Sequence, residues 1–234
     1  MLDILIKNVS IIDGTGRPAF KGNVGVLGDK IVNVLGNEEA KEIIDGSNSF
    51  ISPGFIDAHS HGDLILGDEC ARLCKTSQGI TTEIGGQCGL SAAPIKPENL
   101  KLVQGQLSVG AVKFPEDMVN WTSYKRYLEY ADSVPKTANI KSYVGHSTLR
   151  IAVMGFDNRQ PTEEEMNKMK MLLKEAMENG AAGFSTGLIY TPCCYATTDE
   201  IVELAKVIRP YGGIYASHMR NESYDSVKAV EETI

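Results

Sequence analysis

The pattern of apolar and polar residues changes near position 53 of this 234-residue chain. Before that point, short β-branched runs such as ILIKNVSII alternate with turn sequences such as DGTG at residues 13–16. Two further runs flank the Gly-Asp pair at residues 28–29, a pattern typical of a β-hairpin. Residues 1–52 are therefore predicted to form a small β module.

After position 53, short apolar runs alternate with segments of helical periodicity. The segment 161–180 is a well-marked helix, because Thr162 suits its N-cap and Gly180 follows its end. Alternation of this kind is typical of a parallel α/β sheet or barrel. The predicted strands cover residues 55–61, 81–86, 140–146, 181–187 and 213–219. The other predicted helices cover residues 64–77, 98–108, 121–131 and 197–212, and a last one runs to Ile234.

The count of βα units limits the architecture. Residues 53–234 are too few for a closed eight-unit barrel, which takes about 250 residues. Counting alone therefore also allows an open five-stranded sheet. A five-strand piece of a barrel would expose two strand edges and an apolar interior, so the isolated chain is predicted to be marginally stable or to associate. Two domains are predicted, over residues 1–52 and 53–234.

Composition and charge exclude several classes of protein. Hydrophobic residues make up 42% and charged residues 23%, as in ordinary globular proteins. The net charge of -7 and the lack of a Lys/Arg cluster argue against nucleic-acid binding. No run is long enough to cross a membrane, and the N-terminus does not resemble a signal peptide, which predicts a cytoplasmic location.

The five cysteines form no CxxC pair and are predicted to be reduced. Cys70 and Cys74 share one face of a predicted helix and are interpreted as small core residues.

Residues with metal-binding or catalytic chemistry follow every predicted strand. Because ligands in parallel α/β folds gather at the carboxyl ends of the strands, these side chains are expected to lie close together. Each alone has a structural explanation, such as a hydrogen-bonded histidine or a small residue between glycines. Their joint occurrence favours a site. The residues are His59 and His61 after the first strand, Cys88 after the second, His146 at the third, Tyr190 after the fourth and His218 at the fifth.

Four of these residues form a ligand set for zinc. The pair His59 and His61 share one face of a strand, because strand side chains alternate. With Cys88 and His218 they offer the nitrogen and sulfur ligands that zinc prefers. Zinc lowers the pKa of a bound water and polarises a carbonyl, which is the chemistry of amide hydrolysis.

Several segments resemble one enzyme family. PGFIDAHSH (53–61) resembles the first metal motif of the amidohydrolase superfamily, and QGITTEIGGQCGLSAAP (78–94) resembles a segment of the D-aminoacylases, the N-acyl-D-amino-acid deacylases. Residues 144–150, 183–192 and 212–222 are similar to further segments of that group. The resemblance covers essentially the whole chain. It implies the (β/α)8 barrel of metal-dependent hydrolases, here as about five βα units, with part of a small N-terminal β-sandwich.

The resemblance also implies a role for each matched residue. His59 and His61 would bind a second, weakly held metal, while Cys88 and His218 would bind one tightly held zinc. Tyr190 would hydrogen-bond the substrate and help polarise the scissile carbonyl. His146 would be structural or would support a metal ligand rather than bind the metal. Arg220 lies two residues from His218 and is, from this spacing alone, a weaker candidate for substrate binding, with a surface salt bridge as its simpler interpretation.

Some positions depart from the family pattern. Gln87 stands where Asn is usual, Gly62 stands where Asp is common, and Cys193-Cys194 occupies a loop near the site and is interpreted as inert. Ser185 and Thr186 lie where hydantoinases carry a lysine. This argues against a hydantoinase- or dihydroorotase-like cyclic amidase, which stays the alternative activity beside an inactive metal-binding fragment.

Length is the largest departure, because family members continue well beyond residue 234. The further part would carry a sixth-strand histidine ligand, the general-base aspartate and an arginine for the substrate carboxylate. The chain is therefore expected to be the N-terminal half of a zinc-dependent enzyme and to be inactive alone. The reaction would convert an N-acyl-D-amino acid to a carboxylate and a D-amino acid. Acyl and side-chain specificity and the oligomeric state are left open by these residues.

Overall fold

The computed structural model describes residues 1–107 and 115–234. The chain separates into two units, residues 1–54 and 55–234, and each is described by itself. The last residue of the predicted helix 98–108 lies outside the described residues. Within the described part of the chain, no helix is both long enough and apolar enough to cross a membrane.

The first unit is a five-stranded sheet. Its central strand β1 pairs antiparallel with β2 and parallel with β4 and β5, while β2 and β3 form the predicted hairpin about residues 28–29. Leu2, Leu5 and Val9 of β1 are buried. That this unit forms part of a β-sandwich stays a prediction. The strands are β1 Leu2–Ile11, β2 Phe20–Leu27, β3 Lys30–Val32, β4 Ala40–Asp45 and β5 Phe50–Ile51.

The second unit alternates strands and helices, as the hydrophobic pattern predicts, and all its paired strands are parallel. It has two three-stranded sheets, ordered β6-β7-β8 and β11-β10-β9. The strands are β6 Phe55–Asp57, β7 Ile80–Gly85, β8 Asn139–Ser142, β9 Val144–Gly145, β10 Gly183–Gly187 and β11 Ile214–His218. The helices are α1 Glu69–Thr76, α2 Leu100–Leu107, α3 Tyr124–Ser133, α4 His146–Met154, α5 Glu163–Glu178, α6 Thr198–Ile208 and α7 Ser226–Thr233.

The predicted third strand, 140–146, is wrong as a continuous element. The residues up to Ser142 pair with β7, whereas the residues from Val144 pair with β10. The predicted strand is therefore two short strands in different sheets. The Tyr143 N–H donates to the carbonyl of Gly85 at 3.0 Å, which holds the junction in place. His146 is already the first residue of α4 rather than the end of a strand.

Helix boundaries follow local capping where the sequence supplies caps. Thr162 and Glu165 form a capping box, and α5 therefore begins at Glu163 as predicted. The predicted helix 64–77 is shorter than expected, because Asp68 caps α1 by accepting a hydrogen bond from the Ala71 N–H at 2.8 Å. The residues before Asp68 form only a short 3₁₀ turn over Gly62–Leu64.

The main core of the second unit lies between the β9–β11 sheet and the helices α4, α5 and α6. Val144, Leu149, Leu173, Phe184 and Leu204 are fully buried there. Cys70 and Cys74 lie on α1, which buries none of its residues, and both are exposed. Their assignment to the core was therefore wrong.

Candidate metal centre

The His59 and His61 side chains lie on a turn that follows β6. Strand β6 ends at Asp57, so the histidines are beyond the strand on which the sequence placed them. The turn is fixed by the Ser60 N–H, which donates to the carbonyl of Ile84 at 3.0 Å, and by the Ser60 hydroxyl, which donates to Glu83 at 2.5 Å. The two imidazole centroids are 5.9 Å apart.

Cys88 lies beside this pair. Its Sγ atom is 3.3 Å from Nε2 of His59. One ligand atom each from His59, His61 and Cys88 lies within 4.8 Å of the others. The structure thus brings together three of the four predicted metal ligands. Their donor atoms, two imidazole nitrogens and a sulfur, are those that zinc prefers, and the cluster therefore fits a metal ion.

The backbone at Cys88 is strained. Its φ of 55° is in the left-handed region, which costs a residue with a side chain about 1–3 kcal/mol. Such a conformation persists only where the surrounding structure holds it. Cys88 follows β7 in a segment whose neighbours contact two other strands, and these contacts decide where the thiol lies.

Partial burial shifts the pKa of two members of the cluster, Cys88 and His61. It raises the pKa of the Cys88 thiol, and the Glu222 carboxylate raises that pKa further. Burial lowers the pKa of His61, and the neighbouring His59 adds to the effect. His61 is therefore neutral near pH 7 and can present a nitrogen lone pair to a cation. A bound metal ion stabilises the thiolate, which opposes the effect of burial on Cys88.

His218 ends β11, as predicted, but it lies outside the three-residue cluster. Its Nδ1 is 3.3 Å from the Tyr190 hydroxyl. Its Nε2 is 3.0 Å from a carboxylate oxygen of Glu222, yet this buried nitrogen forms no hydrogen bond with any described residue. A buried nitrogen without a hydrogen bond also fits a cation. The sharing of one metal by Cys88 and His218 stays a prediction.

Tyr190 lies on a turn after β10, where its N–H donates to the carbonyl of Gly187 at 2.9 Å. The residue is 39% exposed, so its hydroxyl can meet a ligand. Burial raises the pKa of its phenol, and Cys88 and Glu222 raise it further. Tyr190 is therefore a protonated hydrogen-bond donor across the neutral pH range.

Glu222 is a residue of the site that sequence reasoning missed. Its carboxylate approaches His218 and raises the pKa of both Cys88 and Tyr190. The available signal was its place at the end of the family-like segment 212–222, four residues after His218. It adds a negative charge at the mouth of the site, which favours a bound cation.

The Arg220 side chain forms hydrogen bonds with residues other than the predicted metal ligands. Its guanidinium donates to Glu232 at 2.8 Å and to the backbone carbonyls of Cys194 and Ala196 at 2.9 and 3.0 Å. These contacts favour the salt-bridge interpretation. A role for Arg220 in substrate binding stays a prediction that no contact in the structure supports.

His146 and Cys193 lie in a buried polar network. The Nδ1 atom of His146 is 2.9 Å from Sγ of Cys193, and its Nε2 is 2.8 Å from Glu200. Arg150 donates to both carboxylate oxygens of Glu200 at 2.7 Å. All four side chains are buried, which agrees with a structural role for His146 and with an inert Cys193.

A cleft of about 470 Å³ opens beside the cluster. His61, Cys88 and Tyr190 form part of its wall, and Leu64 and Leu90 give it an apolar surface. Small-molecule sites in proteins are commonly clefts of about 300–1,000 Å³ with few polar groups. The arrangement can therefore hold a small ligand against a metal.

Comparisons with known proteins agree with this chemistry. The family model described as the amidohydrolase family matches residues 42–225. D-aminoacylase of Alcaligenes xylosoxydans xylosoxydans is 39% identical over 233 residues, which cover 99% of this chain and 47% of that enzyme. The chain thus spans about half the length of the curated relatives it matches.

Solved structures give the same result for the fold. A structure of D-aminoacylase, with a binuclear metal centre in which one metal activates and the second attenuates, is 36% identical with a TM-score of 0.87. N-acyl-D-glutamate deacylase of Bordetella bronchiseptica, complexed with zinc and a phosphonate inhibitor, is 37% identical with a TM-score of 0.86. The matches cover 100% and 99% of this chain, and 48% of each relative.

Proposed function

The chain belongs to the amidohydrolase family, and we propose that it carries the metal-binding half of an enzyme that hydrolyses N-acyl-D-amino acids. The products would be a carboxylate and a free D-amino acid. The gathering of His59, His61 and Cys88 within 4.8 Å carries this proposal. The similarity to D-aminoacylase over nearly the whole chain supports the choice of substrate.

Zinc is the metal we propose, because it suits two imidazoles and a thiolate and because one relative is complexed with it. His59, His61 and Cys88 would hold it, with His218 as a further ligand or as the ligand of a second, differently held ion. A bound zinc ion lowers the pKa of a water ligand and polarises a carbonyl group.

Tyr190 would orient the substrate. Its phenol stays protonated, so it would donate a hydrogen bond to the carbonyl oxygen of the scissile amide. That bond strengthens as negative charge develops on the oxygen, which is how a positioned donor lowers a barrier. The apolar wall formed by Leu64 and Leu90 would exclude water from the acyl side of the ligand.

The general base is proposed to be an aspartate outside these residues, as the resemblance implies. The 234 residues would then bind metal without turnover. Catalysis would need the further length that the relatives possess, since the chain spans 47% of D-aminoacylase. Metal binding with no turnover in this chain, beside turnover in a longer polypeptide that contains it, would agree with this division.

The test is a stereochemical assay. The longest natural polypeptide that contains this chain is incubated with N-acetyl-D- and N-acetyl-L-amino acids, before and after removal of metal by a chelator. Hydrolysis confined to the D-series, lost with the metal and restored by zinc, is expected. Equal rates on both series, or hydrolysis of the L-series alone, would contradict the proposal.

A further inference from the structure

Ser185 contacts the Cys88 segment on both sides of the cysteine. It lies in the middle of β10 and is fully buried. Its hydroxyl donates to the carbonyl of Gly86 at 2.5 Å and accepts a hydrogen bond from the Gly89 N–H at 3.1 Å. One side chain therefore fixes the backbone two residues before Cys88 and one residue after it.

The surrounding strands leave this segment no room to move toward them. A Cβ atom at Gly187 would lie 2.1 Å from the carbonyl oxygen of Cys88. A Cβ atom at Gly145 would lie 2.3 Å from the carbonyl oxygen of Gly89. The segment therefore rests directly on the backbones of β9 and β10. Ser185 adds two hydrogen bonds to this close backbone packing, and these bonds fix the position of the segment.

A second contact fixes the other end of the segment to the histidine turn. Gln87 is buried, and its side-chain N–H donates to the carbonyl of Ala58 at 2.9 Å, next to His59. Cys88 is thus held between Ser185 on β10 and the turn that carries the imidazoles. Its left-handed backbone needs such support, because a residue with a side chain does not stay there unaided.

We propose that Ser185 is a positioning residue of the metal centre, which fixes the Cys88 segment so that the thiol lies 3.3 Å from the His59 imidazole. The hydroxyl touches neither metal nor substrate. It acts through the backbone on either side of the cysteine. The inference rests on the proposed function only in naming a metal as the ligand that the cysteine binds.

Thr186 provides a matched control. It follows Ser185 on the same strand and is equally buried, but its hydroxyl bonds to Tyr215 and Ser217 at 2.8 Å. Removal of that hydroxyl disturbs the same sheet without removing a contact to the Cys88 segment. A general loss of stability would therefore occur in both variants, whereas an effect on the position of Cys88 would occur in Ser185→Ala alone.

The experiment compares Ser185→Ala and Thr186→Val with the parent chain, using Co²⁺ alone as the probe. Binding is followed through the thiolate-to-cobalt charge-transfer band, and the fold of each variant is checked by circular dichroism. Ser185→Ala is expected to bind Co²⁺ about 10- to 100-fold more weakly, as is typical when the support of a ligand is removed. Thr186→Val is expected to keep the parent's affinity. Unchanged affinity in Ser185→Ala, or equal losses in both variants, overturns the proposal.

A readout without metal keeps the inference separate from the proposed function. The metal-free proteins are alkylated with iodoacetamide, and modification of Cys88 is followed by peptide mass spectrometry. Faster modification of Cys88 in Ser185→Ala alone supports positioning, even if the parent shows no cobalt band and the metal centre itself is refuted. A Cys88 rate that does not differ between Ser185→Ala and the parent overturns positioning, whatever the metal does.

Discussion

At the residue scale, the chemistry of this chain depends on where a strained cysteine lies. Cys88 has a left-handed backbone and a partly buried thiol with a raised pKa, two features that are unfavourable in isolation. Both become useful beside His59 and His61, since a cation stabilises the thiolate and the fixed backbone fixes its direction. The residue is therefore better explained by ligand binding than by packing.

Tyr190 supports a prediction at this scale. In the active polypeptide, Tyr190→Phe is expected to lower kcat by about 10²–10³-fold, as is typical for loss of a donor to a developing oxyanion. Metal content should not change, because the proposed metal ligands are histidine and cysteine side chains and not the phenol. Tyr224→Phe is the control, because Tyr224 is 88% exposed. An unchanged kcat in Tyr190→Phe would show that the hydroxyl plays no part in turnover.

The sequence predicts the grouping of His59, His61 and Cys88, because residues after adjacent parallel strands must share one edge of a sheet. It does not predict the contacts that hold them. Ser185 bonds to residues 96 and 99 positions away, and no local pattern marks such a pair. The proximity of Glu222 to the site likewise depends on the path of the chain after β11.

At the scale of elements, α6 is anchored by one buried carboxylate and also carries an exposed one. Glu200 is buried and bonded to Arg150 and His146, while the Glu203 side chain is 41% exposed and pairs with Lys170 and Lys206. The two residues share a helix and a charge. They differ in what their removal leaves behind.

Glu200→Gln is expected to lower the free energy of unfolding by about 3–5 kcal/mol, because it leaves the Arg150 guanidinium buried without a countercharge. Glu203→Gln should cost less than about 1 kcal/mol, since its ion pairs are open to solvent. Urea denaturation of the two variants beside the parent, each in the longest natural polypeptide that contains this chain, gives both values. Similar losses for the two variants would contradict the burial argument.

The same network predicts how stability depends on pH. Burial alone would raise the pKa of Glu200, but hydrogen bonds from His146 and Arg150 hold it below its usual value of 4.5. Its contribution is therefore present above pH 4.5 and is lost as the pH falls below that value. Burial would lower the pKa of His146, but Cys193 and Glu200 raise it to about 9. Its contribution is complete below pH 6.5 and is lost as the pH rises through about 9.

Thermal unfolding between about pH 3 and about pH 10 measures both the acid and the alkaline loss of stability. The parent is expected to be most stable between the acid and alkaline losses of stability, and Glu200→Gln should make both losses smaller. A profile that is the same in parent and variant would show that this network does not set the pH dependence.

Elements with local signals were predicted well, and those with tertiary causes were not. Helix α5 carries its own capping box and begins where the sequence indicates. The break between β8 and β9 depends on the hydrogen bond from Tyr143 to Gly85, which no local pattern encodes. The exposed Cys70 and Cys74 show the same limit, because a helical stripe does not reveal whether another element covers it.

At the scale of the whole molecule, two strands end the sheets of the second unit with apolar residues exposed. Strand β6 exposes Phe55 and Ile56, and β11 exposes Ile214. Unpaired strand edges of this kind are templates for association. The chain is therefore expected to self-associate, or to melt over a broad range, when studied alone.

Sedimentation and thermal melting of the 234-residue chain check this expectation. Ile214→Lys should reduce association, since a charge on an edge strand blocks pairing with another chain. Val202→Lys, on the surface of α6, serves as a control for added charge, since Val202 is 44% exposed. A monomer with a sharp, cooperative melt would show that these edges neither promote association nor destabilise the chain.

The metal centre itself is tested most directly by X-ray absorption at the zinc edge of the chain loaded with one equivalent of Zn²⁺. A site built from His59, His61 and Cys88 predicts one sulfur at about 2.3 Å and nitrogen at about 2.0–2.1 Å. The sulfur should vanish in Cys88→Ser and persist in Cys74→Ser, whose cysteine is exposed and away from the cluster. A shell of nitrogen and oxygen without sulfur in the parent chain would contradict the proposed centre.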